Sequence, residues 1–237
     1  MAAWIAVLVL YQFEVSPFCD KVRRILHVKH KRYEVREVPP HETLVQLKRI
    51  NPAGKVPVIE HQGRVVWDST EIARYLEEQF PEPSIYPSDA RERALCDLIE
   101  DWADESLYFY EMWLRFGPGG NASDWSHRAS HSEPPLLQRA VNIALPTLMR
   151  NVLKSQGLGR KPPERVLAEL RQHLKTIAAW LGDREWLVGD RLSVADVSVY
   201  AQLACVGETG NGAALLGEQP GLLLWMERVD AATSAPV

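Results

Sequence analysis

Apolar residues fill positions 4 to 11 almost without interruption, and the pattern changes period at Ser16-Pro17. The first run predicts a buried strand. After the change, Phe18, Val22, Ile25 and Leu26 recur at helical spacing, with Asp20, Lys21, Arg23 and Arg24 filling the opposite face. Serine is a favoured helix N-cap, and proline is pre-shaped for the first helical position. The pattern therefore predicts strand, tight turn and helix start. It sets the Ser16 hydroxyl and, one turn in, the Cys19 thiol beside free backbone N–H groups. Such a helix end favours negative charge, including a thiolate.

Residues 32 to 38 alternate and predict a second strand, closed by Pro39-Pro40. Residues 42 to 50 carry Leu44, Leu47 and Ile50 on one face of a short helix that Asn51-Pro52-Ala53-Gly54 breaks. Residues 56 to 60 and 64 to 67 form a predicted hairpin turning at His61-Gln62-Gly63, with Pro57 marking an edge or special turn. Asp68-Ser69-Thr70-Glu71 has capping-box spacing and opens a helix through Phe80, with Ile72, Tyr75, Leu76 and Phe80 inward. The order is βαβ, then αββα: a small α/β unit.

The proline-rich stretch Pro81 to Pro87 divides the chain into domains 1–82 and 88–237, and the second reads as all-helical. Leu95, Leu98, Ile99, Trp102, Tyr110, Trp113 and Leu114 trace one stripe from Asp89 to Phe116, and Gly117-Pro118-Gly119-Gly120 ends it. Residues 117 to 135 are polar and read as a loop or lid, with His127 and His131 as solvated loop histidines. A helix over 135–155 carries Pro146, which predicts a kink or break. Leu167, Leu170, Leu174, Ile177 and Leu181 make a core stripe over 163–181. Ser193 and Asp196 have capping-box spacing at the start of the next helix, and a last helix is expected near 222–229.

Composition narrows the function. The chain has 237 residues and a net charge of −4, and its basic residues do not cluster with aromatics, which argues against nucleic acid. Cysteines at 19, 96 and 205 make neither a metal cluster nor a disulfide framework, which fits a reducing compartment. The apolar start lacks the basic flank and cleavage site of a signal peptide, and no later run approaches bilayer length. The expectation is a soluble cytoplasmic protein with no membrane and no metal.

Ser16-Pro17-Phe18-Cys19, Asn51 to Val58 and Asp68-Ser69-Thr70-Glu71-Ile72, in this order, resemble the thioredoxin-like half of the glutathione S-transferases. Ser193 and Asp196 resemble the family's helical-domain signature, where they hold the fold. The resemblance implies a thioredoxin-like N-terminal domain followed by an all-α domain, glutathione as co-substrate and a homodimer. It places Phe18, Lys55, Val56, Pro57, Asp68 and Ser69 at the glutathione site. Val56, before a cis proline, would pair with the cysteinyl part, Lys55 would face a carboxylate, and Asp68-Ser69 would hold the γ-glutamyl end. Taken by themselves, Asp68 and Glu71 are also an ordinary helix cap, and Lys55 a solvated charge.

Ser16 occupies the position of the first cysteine in a Cys-x-x-Cys motif, and Cys19 that of the second. The resemblance makes Ser16 the catalytic residue, its hydroxyl donating to the glutathione thiolate; the alternative is a plain N-cap. Cys19 is read as an inert buried thiol ahead of a redox group. Tyr108, Tyr110, Trp113 and Phe116 are a possible lining for an apolar acceptor pocket, although such a run is more often core. The expected function is transfer of glutathione to a small hydrophobic electrophile. Residues 117 to 165 depart from a compact transferase, and Gln156 to Arg160 look somewhat like the metaxin and failed-axon-connections relatives. The alternatives are accordingly a non-catalytic binding or assembly module of the same fold, and a thiol transferase or peroxidase working through Cys19.

Overall fold

A computed structural model of the chain describes residues 8–42 and 47–234. Its first part is a four-stranded sheet in the order β2-β1-β3-β4. Strands β1 (Leu8–Gln12) and β2 (Tyr33–Glu37) pair in parallel across helix α1 (Pro17–Val28). Strands β3 (Val58–His61) and β4 (Arg64–Trp67) form an antiparallel hairpin, and β3 pairs antiparallel with β1. Helix α4 (Ser69–Gln79) follows. Two helical turns, α2 (Pro40–Glu42) and α3 (Lys48–Ile50), flank residues 43–46, so the expected Leu44 lies outside the described residues; Leu47 is buried. Residues 4–7 of the expected first strand also lie outside.

The hairpin turn is tighter than expected. His61 pairs with Arg64 as the last rung of the ladder, leaving Gln62-Gly63 as a two-residue loop with both φ positive, 53° and 76°. Primed turns of this kind match the right-handed twist of the strands they join.

Helix α1 follows the predicted periodicity with one exception. Val22, Ile25 and Leu26 are fully buried, but so is Lys21, at 1% exposure, although its spacing puts it on the polar face. The helical part of the molecule covers that face, which the periodicity of α1 alone does not reveal. Helix α10 (Val194–Gly207) packs along α1 and is buried through most of its length. Ser193 and Asp196 form the expected capping box. The buried Asp196 carboxylate also accepts from Leu187 N at 2.8 Å and from Trp225 Nε1 at 3.1 Å, which ties a loop and helix α12 (Pro220–Thr233) to the start of α10.

The long first helix of this part is α5 (Ala90–Trp102), a π-helical segment (Ala103–Leu107) and α6 (Tyr108–Phe116), end to end. Two expectations about the next region need correction. Residues 117 to 135 are not a plain loop: α7 (Ala122–Ala129) lies within them, and its Trp125 is 4% exposed. One buried tryptophan in eight mostly polar residues is too short a stripe to read as periodicity. Helix α8 (Pro135–Gln156) continues through Pro146, so of the expected kink or break the break is absent. It carries Leu136, Ile143 and Leu148 exposed. Helix α9 (Pro163–Leu181) buries Leu170, Leu174, Ile177 and Leu181 as expected, and the short α11 (Gly210–Gly217), which the pattern did not predict, precedes α12.

Candidate active site

A cleft of about 720 Å³ opens between α1, the 51–57 loop, the end of β4, the start of α4 and the α5–π face. Each wall has a local cause. Asn51, 1% exposed, shapes the loop: its Nδ2 donates to Lys55 O at 2.7 Å and its Oδ1 accepts from Ala53 N at 2.9 Å. The loop ends in the cis peptide Val56-Pro57 just before β3. Asp68, at φ 75°, caps α4 by accepting from Thr70 N at 3.0 Å and Glu71 N at 3.3 Å. Glu71 turns its carboxylate to Arg74, 2.9 Å away, so Asp68 supplies the cap.

Of the residues expected at a glutathione site, Phe18, Lys55, Val56, Pro57, Asp68 and Ser69 all line this cleft. Lys55 and Asp68 are exposed, and Ser69 is buried beside them. Ser16 is half-buried at the N-cap of α1 and accepts from Cys19 N at 3.4 Å. It is not itself among the lining residues; its turn reaches the cleft through Phe18, two positions on. Cys19 is fully buried, and burial pushes its thiol up to about 11. At neutral pH such a group stays protonated and hidden.

The expected acceptor-pocket aromatics divide. Tyr108 touches Phe18, with ring centroids 4.8 Å apart, and so backs the cleft wall. Tyr110 faces the other way, donating to Glu169 at 3.0 Å and packing on His173. Trp113 and Phe116 are buried in the core and do not line the cleft. Their helical spacing reported the core side of α6. His127 and His131 are exposed on and just after α7, each bonding a nearby backbone carbonyl.

Several site residues carry no local sequence signal. Trp67, Asp97, Asp101 and Glu105 line the cleft, together with Arg74; so does Leu98, which the stripe placed in the core and which is 69% exposed. Behind it, Lys21 Nζ lies 2.6 Å from Glu100 Oε1 and 2.7 Å from Asp104 Oδ2, and Thr70 Oγ1 donates to Glu100 at 3.0 Å. Burial opposes the charge on Lys21, and Asp104 and Glu100 together outweigh it, so the ammonium is held above its ordinary value. The cleft lining is strongly acidic: Asp68, Asp97, Glu100, Asp101, Asp104 and Glu105 against Lys55 and Arg74, with two of those carboxylates engaged by Lys21. An amine in an extended ligand would find carboxylates here, and a carboxylate of its own would find Lys55.

A thioredoxin-like sheet joined to a helical bundle through this cleft is the fold of the glutathione S-transferases. Residues 10–84 match the glutathione S-transferase N-terminal domain, and residues 142–232 match the glutathione S-transferase C-terminal domain. Protein LigF of Sphingobium sp. (strain NBRC 103272 / SYK-6) is 29% identical over 192 residues, 78% of this chain and 73% of that protein. The isoprene-epoxide–glutathione S-transferase of Rhodococcus sp. (strain AD45) is 23% identical over 230 residues, 91% of this chain and 92% of the relative. Among solved structures, beta-etherase LigF from Sphingobium sp. strain SYK-6 superposes with a TM-score of 0.68 at 26% identity, covering 95% of each chain. Rice GST1 in complex with glutathione superposes with a TM-score of 0.69 at 25% identity, covering 99% of this chain and 92% of that one. The chain belongs to the glutathione S-transferase family. No described helix is long and apolar enough to cross a membrane.

Proposed function

We propose that the protein is a glutathione transferase in which Ser16 activates the thiol of glutathione for attack on a small hydrophobic electrophile. The observation that carries this reading is the convergence, on one cleft, of the Phe18 turn, the Lys55-Val56-Pro57 loop and the Asp68-Ser69 helix start. In this reading the backbone of Val56 pairs with the cysteinyl part of the tripeptide. Asp68 and Ser69 hold the γ-glutamyl end, aided by the N-terminus of α4. Lys55 neutralises a carboxylate.

The thiol loses its proton to solvent, and the Ser16 hydroxyl donates to the thiolate that remains. A free thiol titrates at ~8.5, and each unit of lowering corresponds to ~1.4 kcal/mol of preference for the thiolate. Sulfur then bonds to the electrophilic carbon, and the electron pair of the broken bond leaves with the displaced group or ring-opened oxygen. Thiolate activation and proximity lower the barrier. The fully buried, protonated Cys19 does not support a redox role.

We further infer two domains, 1–82 and 88–237, a cytoplasmic homodimer, and a role in detoxification. The test is a glutathione titration of the purified protein, following the ultraviolet thiolate band against pH. Saturable binding with a thiol pKa below the free value is expected. No saturable binding would overturn the reading and favour a non-catalytic assembly module on the same fold.

A further inference from the structure

The turn that carries Ser16 is held from the helical part of the molecule. Arg115, near the end of α6 and 6% exposed, donates from Nη1 to the carbonyl of Val15 at 3.1 Å. That carbonyl belongs to the peptide joining Val15 to Ser16. The other side of the turn is closed by Ser16 N donating to Phe13 O at 3.1 Å.

Arg115 is itself held on two sides. One helical turn back, Glu111, 1% exposed, pairs with its guanidinium. The Trp125 ring of α7 lies beneath it, 3.7 Å from Cζ to the ring centroid, with Arg128 4.3 Å from the same ring. A buried guanidinium pinned by a carboxylate and an aromatic face has little rotamer freedom left, so its Nη1 donor is a fixed point. The segment between 117 and 135 is thereby tied to the site, because α7 supplies the tryptophan that seats Arg115.

We propose that Arg115 is a positioning residue for Ser16, fixing from α6 the peptide that carries the serine. This inference rests on the reading of Ser16 as the thiolate partner, and its test does not depend on glutathione. A Ser16→Cys variant places a thiol at position 16, and its pKa is measured from the rate of iodoacetamide alkylation against pH, with the labelled peptide identified by mass. The measurement is repeated in three backgrounds: Arg115, Arg115→Lys, and the double change Arg115→Met with Glu111→Met. The double change is chosen because Arg115→Met alone would strand a buried carboxylate, whereas removing both charges leaves an apolar pair.

The thiol at position 16 should titrate about one unit higher in the double background, a tenfold smaller thiolate fraction at neutral pH, with Lys restoring most of the difference. An unchanged pKa in a folded double variant would overturn the proposal. So would a Lys variant that titrates like the Met pair, since a donor to the Val15 carbonyl would then not matter. With serine at position 16, kcat at saturating glutathione should fall about tenfold in the double variant, with glutathione affinity nearly unchanged. If the parent protein shows no glutathione turnover, the transferase reading fails, and the thiol titration still decides the role of Arg115.

Discussion

Lys21 Nζ lies 2.6 Å from Glu100 Oε1, both side chains almost completely buried, across the seam between α1 and α5. Asp104 closes the other side of the ammonium at 2.7 Å. Removing one partner of a buried ion pair leaves an uncompensated charge, which typically costs ~3–5 kcal/mol. Lys21→Met should therefore lower the unfolding free energy by about that amount. Replacing Glu100 and Asp104 with Gln and Asn in the same chain should recover much of the loss. Urea unfolding of the two variants checks this; equal stability of Lys21→Met and the parent protein would mean the triad is idle.

Ser16→Ala removes both a cap and a hydroxyl. Loss of the cap to Cys19 N should cost ~1 kcal/mol of stability. Loss of the donor should raise the pKa of bound glutathione by about one to two units, so turnover at neutral pH falls ~10- to 100-fold. Thermal midpoint and kcat at saturating glutathione separate the two effects. A variant with a shifted midpoint and unchanged kcat would reduce Ser16 to its structural role.

Cys19 sits one turn further along and should behave in the opposite way. With no exposure and its thiol pushed up to about 11, it should resist iodoacetamide in the native protein at pH 8. It should become labelled once the chain is unfolded in urea. Cys19→Ala should keep turnover within about twofold, at a stability cost of ~1 kcal/mol for the small cavity. Intact-protein mass after oxidised glutathione treatment should show no adduct at this position.

A pH effect is expected at Glu169 on α9. The Lys161 ammonium, then Arg165 and the Tyr110 hydroxyl, draw its carboxyl down from 4.5 to about 2. A depressed carboxyl contributes stability above its unfolded value and loses it as pH falls through the folded one. The cluster is open to water, so Glu169→Gln should cost only ~0.5 kcal/mol at pH 7. That difference should shrink from pH 4.5 downward and vanish near pH 2. Urea midpoints of the two proteins over this range measure it.

The elements most legible in the sequence were those with a complete local signal. Ser16-Pro17 starts α1, Asp68 starts α4 and Ser193 with Asp196 starts α10, because a cap needs only a few neighbouring residues to state itself. Phe18, Lys55, Val56, Pro57, Asp68 and Ser69 were legible for the same reason, each lying in a short turn or helix start.

What the sequence hid depends on contact between distant segments. Lys21 looks like any polar-face lysine until α5 covers it. Arg115 lies on an apolar helix with nothing nearby in sequence to show that its donor meets Val15, 100 residues earlier. Tyr110, Trp113 and Phe116 share a helix with Tyr108, yet only Tyr108 turns toward Phe18. Which side of a helix meets a cleft is set by packing, and periodicity gives only the fact of a side.

The π-helical segment at Ala103–Leu107, where Tyr108 N–H reaches back five residues to Ala103 O, acts as a phase shifter. A π turn holds one residue more than an α turn, and each α-helical residue advances the azimuth by ~100°. Everything from Tyr108 onward is clocked by that surplus residue. Deleting one residue there would let the backbone relax to a regular α-helix with its bonds intact. Tyr108 would then stay against Phe18 and Arg115 against Val15, whereas a regular α-helix that kept every residue would swing both off together. The timing between the two halves of the cleft is kept by one π turn, itself part of the cleft wall, that absorbs a surplus residue.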